Sequence, residues 1–167
     1  MTMQRGERLD IDEDPSYDKP IPQRDEASEP FFAGALRGEL MLQRCDTCGH
    51  WMWPVRVRCT ACLSPQLSWA AAAGTGTLYT WTMVHQVFHP GFASEIPYNV
   101  AMVDLTEGVR MITNIVGVPA DELRAGLPLV VTFEQVSDEV ALPKFTLAAS
   151  QPDGGGAAAG ASAGAEG

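Results

Sequence analysis

Four cysteines in two Cys-x-x-Cys pairs constrain the fold of this chain more than any other feature. Cys45 and Cys48 form the first pair, and Cys59 and Cys62 form the second, with ten residues between the pairs. Two intervening residues allow both sulfurs of a pair to point at one ion from a tight turn, and two such turns complete a tetrahedron of ligands. Gly49 follows the first pair, where such a turn commonly needs a positive φ. The spacing therefore predicts one zinc ion held by four thiolates.

Similar spacing also occurs in rubredoxin-type iron centres and in redox-active dithiols. Zinc is favoured because Leu63 and Ser64 stand where the second rubredoxin turn has glycine, and the surroundings suggest no electron-transfer partner. His50 could replace a cysteine as ligand, but four thiolates fill the site, so we expect a solvated surface histidine. A catalytic zinc keeps one position open for water, whereas four cysteines close it. We therefore expect a structural ion that stabilises a ribbon with little core of its own.

The balance of charge argues against a nucleic-acid partner. The chain has 21 acidic and 11 basic side chains, which gives a formal net charge of −10. A phosphate backbone repels such a chain unless a local basic stripe overrides the total. The basic residues are spread thinly along the sequence, and we expect no binding of nucleic acid.

The sequence predicts a cytoplasmic protein with no membrane association. The N-terminal residues lack the apolar run of a secretory signal, and no stretch approaches the roughly 20 apolar residues that a membrane span needs. Thiols are kept reduced in the cytosol, which favours metal ligation by the cysteines over disulfides.

Composition divides the 167 residues into four parts. Residues 1–27 are acidic and rich in proline, and they predict an extended arm that is either a loose leader or laid on another surface. Residues 28–73 predict a helix followed by the zinc ribbon, and residues 74–148 predict a β-rich barrel. Residues 149–167 are of low complexity and predict a disordered tail.

A short helix is expected just before the ribbon, over about residues 29–37. Ser28 stands at the N-cap position, and Gly38 is suited to stop the helix. Helical spacing would bring three apolar side chains towards one face: Phe31, Ala35 and Leu36.

The rest of the chain has the composition and spacing of strands. A short strand is expected at 67–73, followed by about five more between 76 and 147, with a long loop at 89–97 and one helical turn at 119–126. The strands are expected at 77–88, 98–105, 109–116, 129–136 and 140–147. This number fits a mainly β fold with a five-stranded barrel of the oligonucleotide/oligosaccharide-binding (OB) type, and an open sandwich is the less economical alternative.

No convincing catalytic set is present in the sequence. No nucleophile signature or phosphate-binding glycine loop occurs. His85 is a candidate general base, but a packed or hydrogen-bonded strand histidine is the more ordinary interpretation. Asp104 and Glu107 flank a hairpin, where solvated carboxylates are usual. We therefore assign no catalytic residue.

Four residues near the ribbon and the long loop have apolar surfaces of interest. Trp51 and Trp53 are expected to serve packing. Trp53, Pro54 and Phe92, if exposed, could line a groove for a partner or an acyl chain.

With these motifs in this order, the chain resembles the zinc-ribbon/OB-fold accessory proteins of acyl-CoA enzymes, those of the domain-of-unknown-function-35 type. The resemblance rests on FFAGALRGELMLQRCDTCGHWMWPVRVRCTACLS, then GTGTLYTWTMVH, HPGFASEIPYNVAMVDLTEGVRMITNIVG and LPKF, which together span residues 31–147. Thr60 departs from the proline usual in the family, and the acidic leader is not explained by the resemblance.

The resemblance implies a non-catalytic subunit whose partner holds the catalytic residues. Family members accompany thiolase-superfamily enzymes, including acetoacetyl-CoA thiolases and steroid side-chain aldolases, and others partner hydratases of hot-dog fold. The resemblance also implies a hetero-oligomer with a thiolase-fold protein, containing two copies of each chain. A CoA thioester is then expected as ligand of the complex. The loops at 89–97 and 119–126 are the expected contact regions.

Two other classes remain as alternatives. A stand-alone zinc/OB module could bind nucleic acid, although that needs a basic groove. An electron carrier would hold iron in the cysteine site and would be coloured.

Overall fold

The computed structural model describes residues 18–149. Most of the arm predicted at 1–27 and nearly all of the tail predicted at 149–167 therefore lie outside the described residues. Between residues 18 and 149, no helix has the length and apolar character needed to cross a membrane.

Residues 18–149 form one short helix followed by eight strands, with two single-turn 3-10 helices in the loops. The elements are helix α1 (Glu29–Leu36), strands β1 (Met41–Cys45), β2 (Trp51–Met52), β3 (Leu67–Ala71) and β4 (Thr75–Val84), a 3-10 helix (Pro90–Phe92), strands β5 (Tyr98–Leu105) and β6 (Arg110–Thr113), a 3-10 helix (Ala120–Glu122), and strands β7 (Pro128–Gln135) and β8 (Ala141–Leu147).

Helix α1 begins and ends where the sequence predicted, but its first turn is capped differently. The Ser28 side chain does not cap the helix; instead the Ser28 amide donates to the Asp25 carboxylate at 2.8 Å. At the other end Gly38, with φ of 77°, donates to the Ala35 carbonyl, and the Glu39 amide donates to the Gly34 carbonyl. This pair of bonds is a Schellman stop, in which glycine takes the left-handed conformation at no steric cost.

The buried face of α1 differs from the expected one at one position. Phe31, Phe32 and Ala35 are buried, whereas Leu36 is 37% exposed. Leu36, which was expected near the same face as Phe31 and Ala35, is the last residue of the helix and is only partly covered.

Strands β4 to β8 form the predicted five-stranded antiparallel sheet, in the order β6-β5-β4-β7-β8. The sheet curls, and a bulge in β4 between Leu78 and Thr80 shifts its pairing with β5, as bulges commonly do where a sheet bends. Strand β4 ends at Val84, four residues before the predicted end, so His85 lies outside the sheet.

The two edges of this curled sheet are joined at one point just after β6. Ile115 forms a parallel bridge with Phe145 on β8. The Phe145 amide donates to the Asn114 carbonyl at 3.0 Å, and the Val116 amide donates to the Phe145 carbonyl at 2.8 Å. The mainly β prediction with an OB-type arrangement of strands is confirmed by this topology.

A single hydrophobic core links the helix, the ribbon and the curled sheet. It joins Phe31 and Phe32 of α1 and Leu42 of β1 to side chains of the five-stranded sheet, among which Leu78 and Phe145 are almost completely buried. The ribbon is therefore packed onto the sheet rather than tethered to it by a linker.

Candidate metal centre

The ribbon is a three-stranded antiparallel sheet in the order β2-β1-β3. Cys45 is the last residue of β1 and pairs with Leu67 at the start of β3. Beneath the sheet, the buried Gln43 side chain accepts a hydrogen bond from the Arg56 amide at 2.6 Å. Gln43 thereby ties the loop before the second cysteine pair to the strand that carries the first pair.

The two cysteine turns have matching backbone hydrogen bonds. In the first, the Cys45 carbonyl accepts from the Gly49 amide at 2.8 Å, and the Cys45 amide donates to the His50 carbonyl at 2.9 Å. In the second, the Cys59 carbonyl accepts from the Leu63 amide at 3.0 Å, and the Cys59 amide donates to the Ser64 carbonyl at 2.9 Å. The two turns therefore have the same backbone geometry, and their four sulfurs lie close together.

Each turn has a residue of positive φ directly after its second cysteine. Gly49 has φ of 75°, as the sequence predicted, and Leu63 has φ of 62°. A left-handed conformation costs a non-glycine residue roughly 1–2 kcal/mol. The second turn holds Leu63 in that conformation, with the side chain 69% exposed.

The four sulfurs converge on a space suited to one tetrahedral ion. All four lie within 4.8 Å of one another. The Sγ atoms of Cys45 and Cys62 are 3.6 Å apart, as are those of Cys48 and Cys59. Zinc–sulfur bonds of about 2.3 Å in a tetrahedron put sulfurs roughly 3.8 Å apart. The four cysteines are thus positioned for metal binding, and their donor set fits zinc.

The first cysteine of each pair, Cys45 or Cys59, is buried, and is called the inner cysteine below. Backbone amides that donate hydrogen bonds to its sulfur favour the thiolate. Burial raises the pKa of the Cys45 thiol, but hydrogen bonds from the amides of Cys48 and Thr47 and from neighbouring thiols bring that pKa down to about 6. The pKa of the Cys59 thiol is lowered in the same manner, since amides of Cys62 and Ala61 outweigh its burial. Backbone donors thereby stabilise negative charge at the two inner sulfurs.

The outer cysteines of the turns are exposed and behave in the opposite way. The His50 amide lowers the pKa of the Cys48 thiol, but the other sulfurs, together with burial, raise it to about 12. The pKa of the Cys62 thiol is raised likewise, against the lowering effect of the Ser64 amide. Four thiolates so close together repel one another, and a divalent cation removes that repulsion.

The other residues considered from the sequence lie apart from this cluster or are engaged elsewhere. His50, His85 and His89 are exposed. His85 follows the end of β4 at Val84, so the interpretation of His85 as a packed or hydrogen-bonded strand histidine was wrong in placing it in a strand. Asp104 is not merely solvated, because it accepts two hydrogen bonds from Arg110, at 2.6 and 2.9 Å. Glu107 accepts from the Ala73 amide at 2.6 Å. Among residues 18–149 the four cysteines are the one group that could supply three or more metal ligands.

An apolar groove of about 290 Å³ lies where α1, the ribbon and the curled sheet meet. Trp53 and Pro54 line it as expected, together with Ile112 of β6. Phe92 does not, because its ring stacks on Tyr98 with centroids 5.4 Å apart. Trp51 and Trp53 both pack against the core, as the sequence suggested.

Several large apolar side chains project into solvent from the ribbon and the long loop. Val57 is 89% exposed and lies between the exposed Arg56 and Arg58, and Phe88 is 73% exposed. This exposed surface of the ribbon was not predicted from the sequence. A valine between two arginines in a short loop could have indicated it.

Models of two protein domains match this chain consecutively. The rubredoxin-like zinc ribbon domain of ChsH2 matches residues 32–68, and the C-terminal OB-fold domain of ChsH2 matches residues 69–134. Their boundary falls inside β3, the strand that connects the ribbon to the curled sheet.

A solved structure described as the Ltp2-ChsH2(DUF35) aldolase contains a similar chain. It is 35% identical in sequence, with a TM-score of 0.69, and the match covers 76% of the present chain and 98% of the matched one.

Curated relatives include two hydratase subunits and a scaffold protein. The present chain is 37% identical over 135 residues to a probable enoyl-CoA hydratase alpha subunit of Thermomonospora curvata, covering 81% of this chain and 41% of the relative. It is 28% identical over 144 residues to a 3-oxo-4,17-pregnadiene-20-carboxyl-CoA hydratase alpha subunit of Mycobacterium tuberculosis, covering 86% and 42%. It is 28% identical over 97 residues to a DUF35 domain-containing scaffold protein of Methanocaldococcus jannaschii, covering 58% and 68%. The chain thus spans about two fifths of the length of the hydratase subunits.

Proposed function

Because this chain belongs to the ChsH2 family of DUF35 proteins, in which a zinc ribbon is joined to an OB-fold domain, we propose that it is a non-catalytic accessory subunit of an acyl-CoA enzyme. The proposal rests chiefly on the match to a chain in the structure described as the Ltp2-ChsH2(DUF35) aldolase, of which 98% is covered. The name of that aldolase joins two components. The proposed partner is a thiolase-fold protein, assembled with two copies of each chain in the cytoplasm. The reaction is carbon–carbon bond cleavage of an acyl-CoA, by steroid side-chain retro-aldol chemistry or by thiolysis.

Zinc is proposed as the structural ion of the ribbon, with Cys45, Cys48, Cys59 and Cys62 as its four ligands. The mutual distances of the sulfurs and the amide donors around the two inner cysteines support this assignment. When bound, the ion cross-links β1 to the second cysteine turn. A four-thiolate set leaves no open position for a substrate, which supports a structural role.

The exposed apolar side chains support a docking role for this subunit. Val57 on the ribbon and Phe88 on the loop after β4 are 89% and 73% exposed, and partner interfaces commonly bury apolar side chains of this kind. Arginine beside an apolar side chain is a common composition at protein interfaces, because it provides hydrogen bonds at the rim of an apolar contact. We propose the surface of Arg56, Val57 and Arg58, called the ribbon tip below, as part of the interface with the partner.

The CoA thioester is proposed to be a ligand of the whole complex. The barrel and the ribbon would help to bind or channel it, with the loops at 89–97 and 119–126 as contact regions. Both loops contain a 3-10 helix and connect strands of the curled sheet.

A hot-dog-fold hydratase partner is the second candidate. It is favoured by two relatives named as hydratase alpha subunits, each more than twice as long as the part that this chain matches. In that case the acyl-CoA substrate class is the same and the reaction is addition of water instead of carbon–carbon cleavage.

Affinity purification followed by an assay separates these candidates. The chain, tagged at its C terminus, is expressed in its source cells, and the partner is identified by mass spectrometry and by its stoichiometry. We expect a thiolase-fold protein in equal amount. A stoichiometric hot-dog-fold protein would establish the hydratase alternative instead. Recovery of the chain alone, or with nucleic acid, would contradict both.

A further inference from the structure

Residues 18–24, with the sequence DKPIPQR, lie as an irregular segment on the curled sheet. This segment, called the strap below, precedes α1. Ile21 in its middle packs against the hydrophobic core, and Pro22 lines the apolar groove beside Leu142 and Pro143 of β8. The strap is therefore held at its middle by the partly buried Ile21, while Pro20, Pro22 and Gln23 remain exposed.

The first end of the strap is held by the loop between β4 and β5. Lys19 Nζ lies 2.5 Å from a Glu95 carboxylate oxygen, 3.9 Å from Glu134 and 5.6 Å from the centre of the Phe92 ring. Its side chain is only 10% exposed. The backbone of the strap also passes close to Gly91, where an added Cβ would lie 2.6 Å from the carbonyl carbon of Asp18. Glycine at position 91 is what permits this approach.

The second end of the strap is held by the loop between β7 and β8. Arg24 lies 2.7 Å from a carboxylate oxygen of Glu139 in that loop and 3.4 Å from Glu29 at the start of α1. Lys19 and Arg24, five residues apart, are thus the two cations that fix the strap to acidic side chains.

These two loops are the ones with which OB barrels bind their ligands. In such barrels the binding face is flanked by the loop between the first and second strands and the loop between the fourth and fifth. Here strands β4 to β8 are those five strands in chain order, so the flanking loops are residues 85–97 and 136–140. The strap connects one to the other.

We propose that this face is a recognition site for an extended peptide with two cationic side chains five residues apart, and that the strap is its built-in ligand. Glu95 and Glu139 select the two cations, and Glu134, which also pairs with Lys144, adds a more distant negative charge. The hydrophobic core accepts the isoleucine, and the apolar groove accepts the proline. While the strap is seated, a second extended peptide can bind between these two loops only by displacing it.

Gly91→Ala tests the seating of the strap without changing its charges. The added methyl group must separate the strap from the loop, whereas the backbone at position 91 itself tolerates alanine, since it does not have a positive φ. In protein with ¹³C-labelled isoleucine methyl groups, we expect the Ile21 signal to move to its random-coil position while that of the buried Ile115 stays in place. Ser94→Ala, an exposed change in the same loop, is the matched control and should move neither signal.

A synthetic peptide DKPIPQR tests recognition in trans. A Lys19→Glu/Arg24→Glu double variant releases the strap and leaves the face intact, so it should bind the peptide at least about tenfold more tightly than the unaltered chain, whose strap competes at high effective concentration. Gly91→Ala should bind the peptide no better than the unaltered chain, because the added methyl group obstructs the peptide as it obstructs the strap.

An unmoved Ile21 signal in Gly91→Ala would overturn the proposal. Equal affinity of the peptide for the double variant and the unaltered chain, or no binding to either at millimolar concentration, would overturn it as well.

Discussion

At the scale of single residues, the two cysteine turns are nearly equivalent in hydrogen bonding and differ in one side chain. Gly49 and Leu63 occupy the same position after their cysteine pairs and have nearly the same φ, 75° and 62°. The sequence predicted the first because glycine marks such a turn, and it could not predict the second because leucine rarely adopts this conformation. The hydrogen bonds of the second turn, from Leu63 to Cys59 and from Cys59 to Ser64, hold Leu63 in this conformation.

Substituting each of these residues should change stability in opposite directions. Gly49→Ala should lower the free energy of unfolding by about 1 kcal/mol, because alanine is strained at positive φ. Leu63→Gly should raise it by about 0.5 kcal/mol, since relief of strain is partly offset by the greater freedom of glycine in the unfolded chain. Urea unfolding of the zinc-loaded proteins measures both. A stabilising Gly49→Ala would contradict the structure of the first turn.

The ligand assignment is tested by a pair of substitutions in the ribbon. Cys59→Ser should abolish stoichiometric zinc and unfold the ribbon, because three thiolates leave the ion partly unliganded and Cys59 is completely buried. His50→Ala should keep one zinc ion per chain, since the imidazole is exposed and four sulfurs suffice. Metal analysis of the purified variants is the measurement. Loss of zinc in His50→Ala with retention in Cys59→Ser would reverse the assignment.

At the scale of secondary-structure elements, one asparagine determines how the edges of the curled sheet meet. The Asn99 side chain on β5 donates to the Ile115 carbonyl and accepts from the Ile115 amide, both at 2.7 Å. It thereby mimics a backbone pair at the point where the chain leaves β6 and turns towards β8. This contact was not predictable from the sequence, because nothing in the local pattern connects positions 99 and 115.

Loss of this asparagine should open the junction. Asn99→Ala should cost about 2–3 kcal/mol of unfolding free energy, because it removes both hydrogen bonds and leaves backbone groups of a buried residue unpaired. Asn99→Asp, which keeps only the accepting oxygens, should fall between alanine and the original residue. Denaturant unfolding and amide exchange at Ile115 measure the effect, and an unchanged exchange rate in Asn99→Ala would count against this role.

Strand positions were largely predictable, whereas their ends were less so. Alternating β-branched and aromatic residues indicated the five strands, and turn residues such as Gly108 indicated the hairpin between β5 and β6. The end of β4 was placed too late because Val87 and Phe88 have the composition of a strand, yet they are exposed in the loop. Composition indicates that a segment prefers an extended backbone. It does not indicate whether a neighbouring strand is available to pair with it.

At the scale of the whole molecule, the ribbon and the curled sheet share one core. Phe31 of α1 meets Trp53 of the ribbon with ring centroids 4.4 Å apart, and Leu42 of β1 is completely buried in the cluster that includes Phe145. The sequence predicted both units from local patterns. Their common core depends on contacts between distant residues, which those patterns do not specify.

Removal of zinc should therefore destabilise the curled sheet as well as the ribbon. A strong chelator should lower the thermal midpoint of the whole protein and not of the ribbon alone, because loss of the ion loosens β1, whose Leu42 is part of the common core. Tryptophan fluorescence reports the ribbon, and the Ile115 methyl signal reports the curled sheet. An Ile115 signal that keeps its original melting temperature in the chelated protein would indicate two independent units.

The ribbon tip provides a test of docking that leaves the fold intact. Val57→Asp should reduce recovery of the partner at least about tenfold, because it places a charge in an apolar contact. The isolated chain should remain as stable as before, since Val57 is 89% exposed. Val57→Thr, which keeps the branched shape without a charge, is the control. Full recovery of the partner by Val57→Asp would exclude the ribbon tip from the interface.

This chain is proposed to serve a partner enzyme that holds the catalytic residues of the complex. The most direct test of this claim is reconstitution of the purified chain with the purified thiolase-fold partner, assayed for cleavage of an acyl-CoA substrate. We expect no turnover by this chain alone and full activity in a stoichiometric complex that retains its zinc. Turnover by the isolated chain, or a partner equally active and stable without it, would contradict the claim.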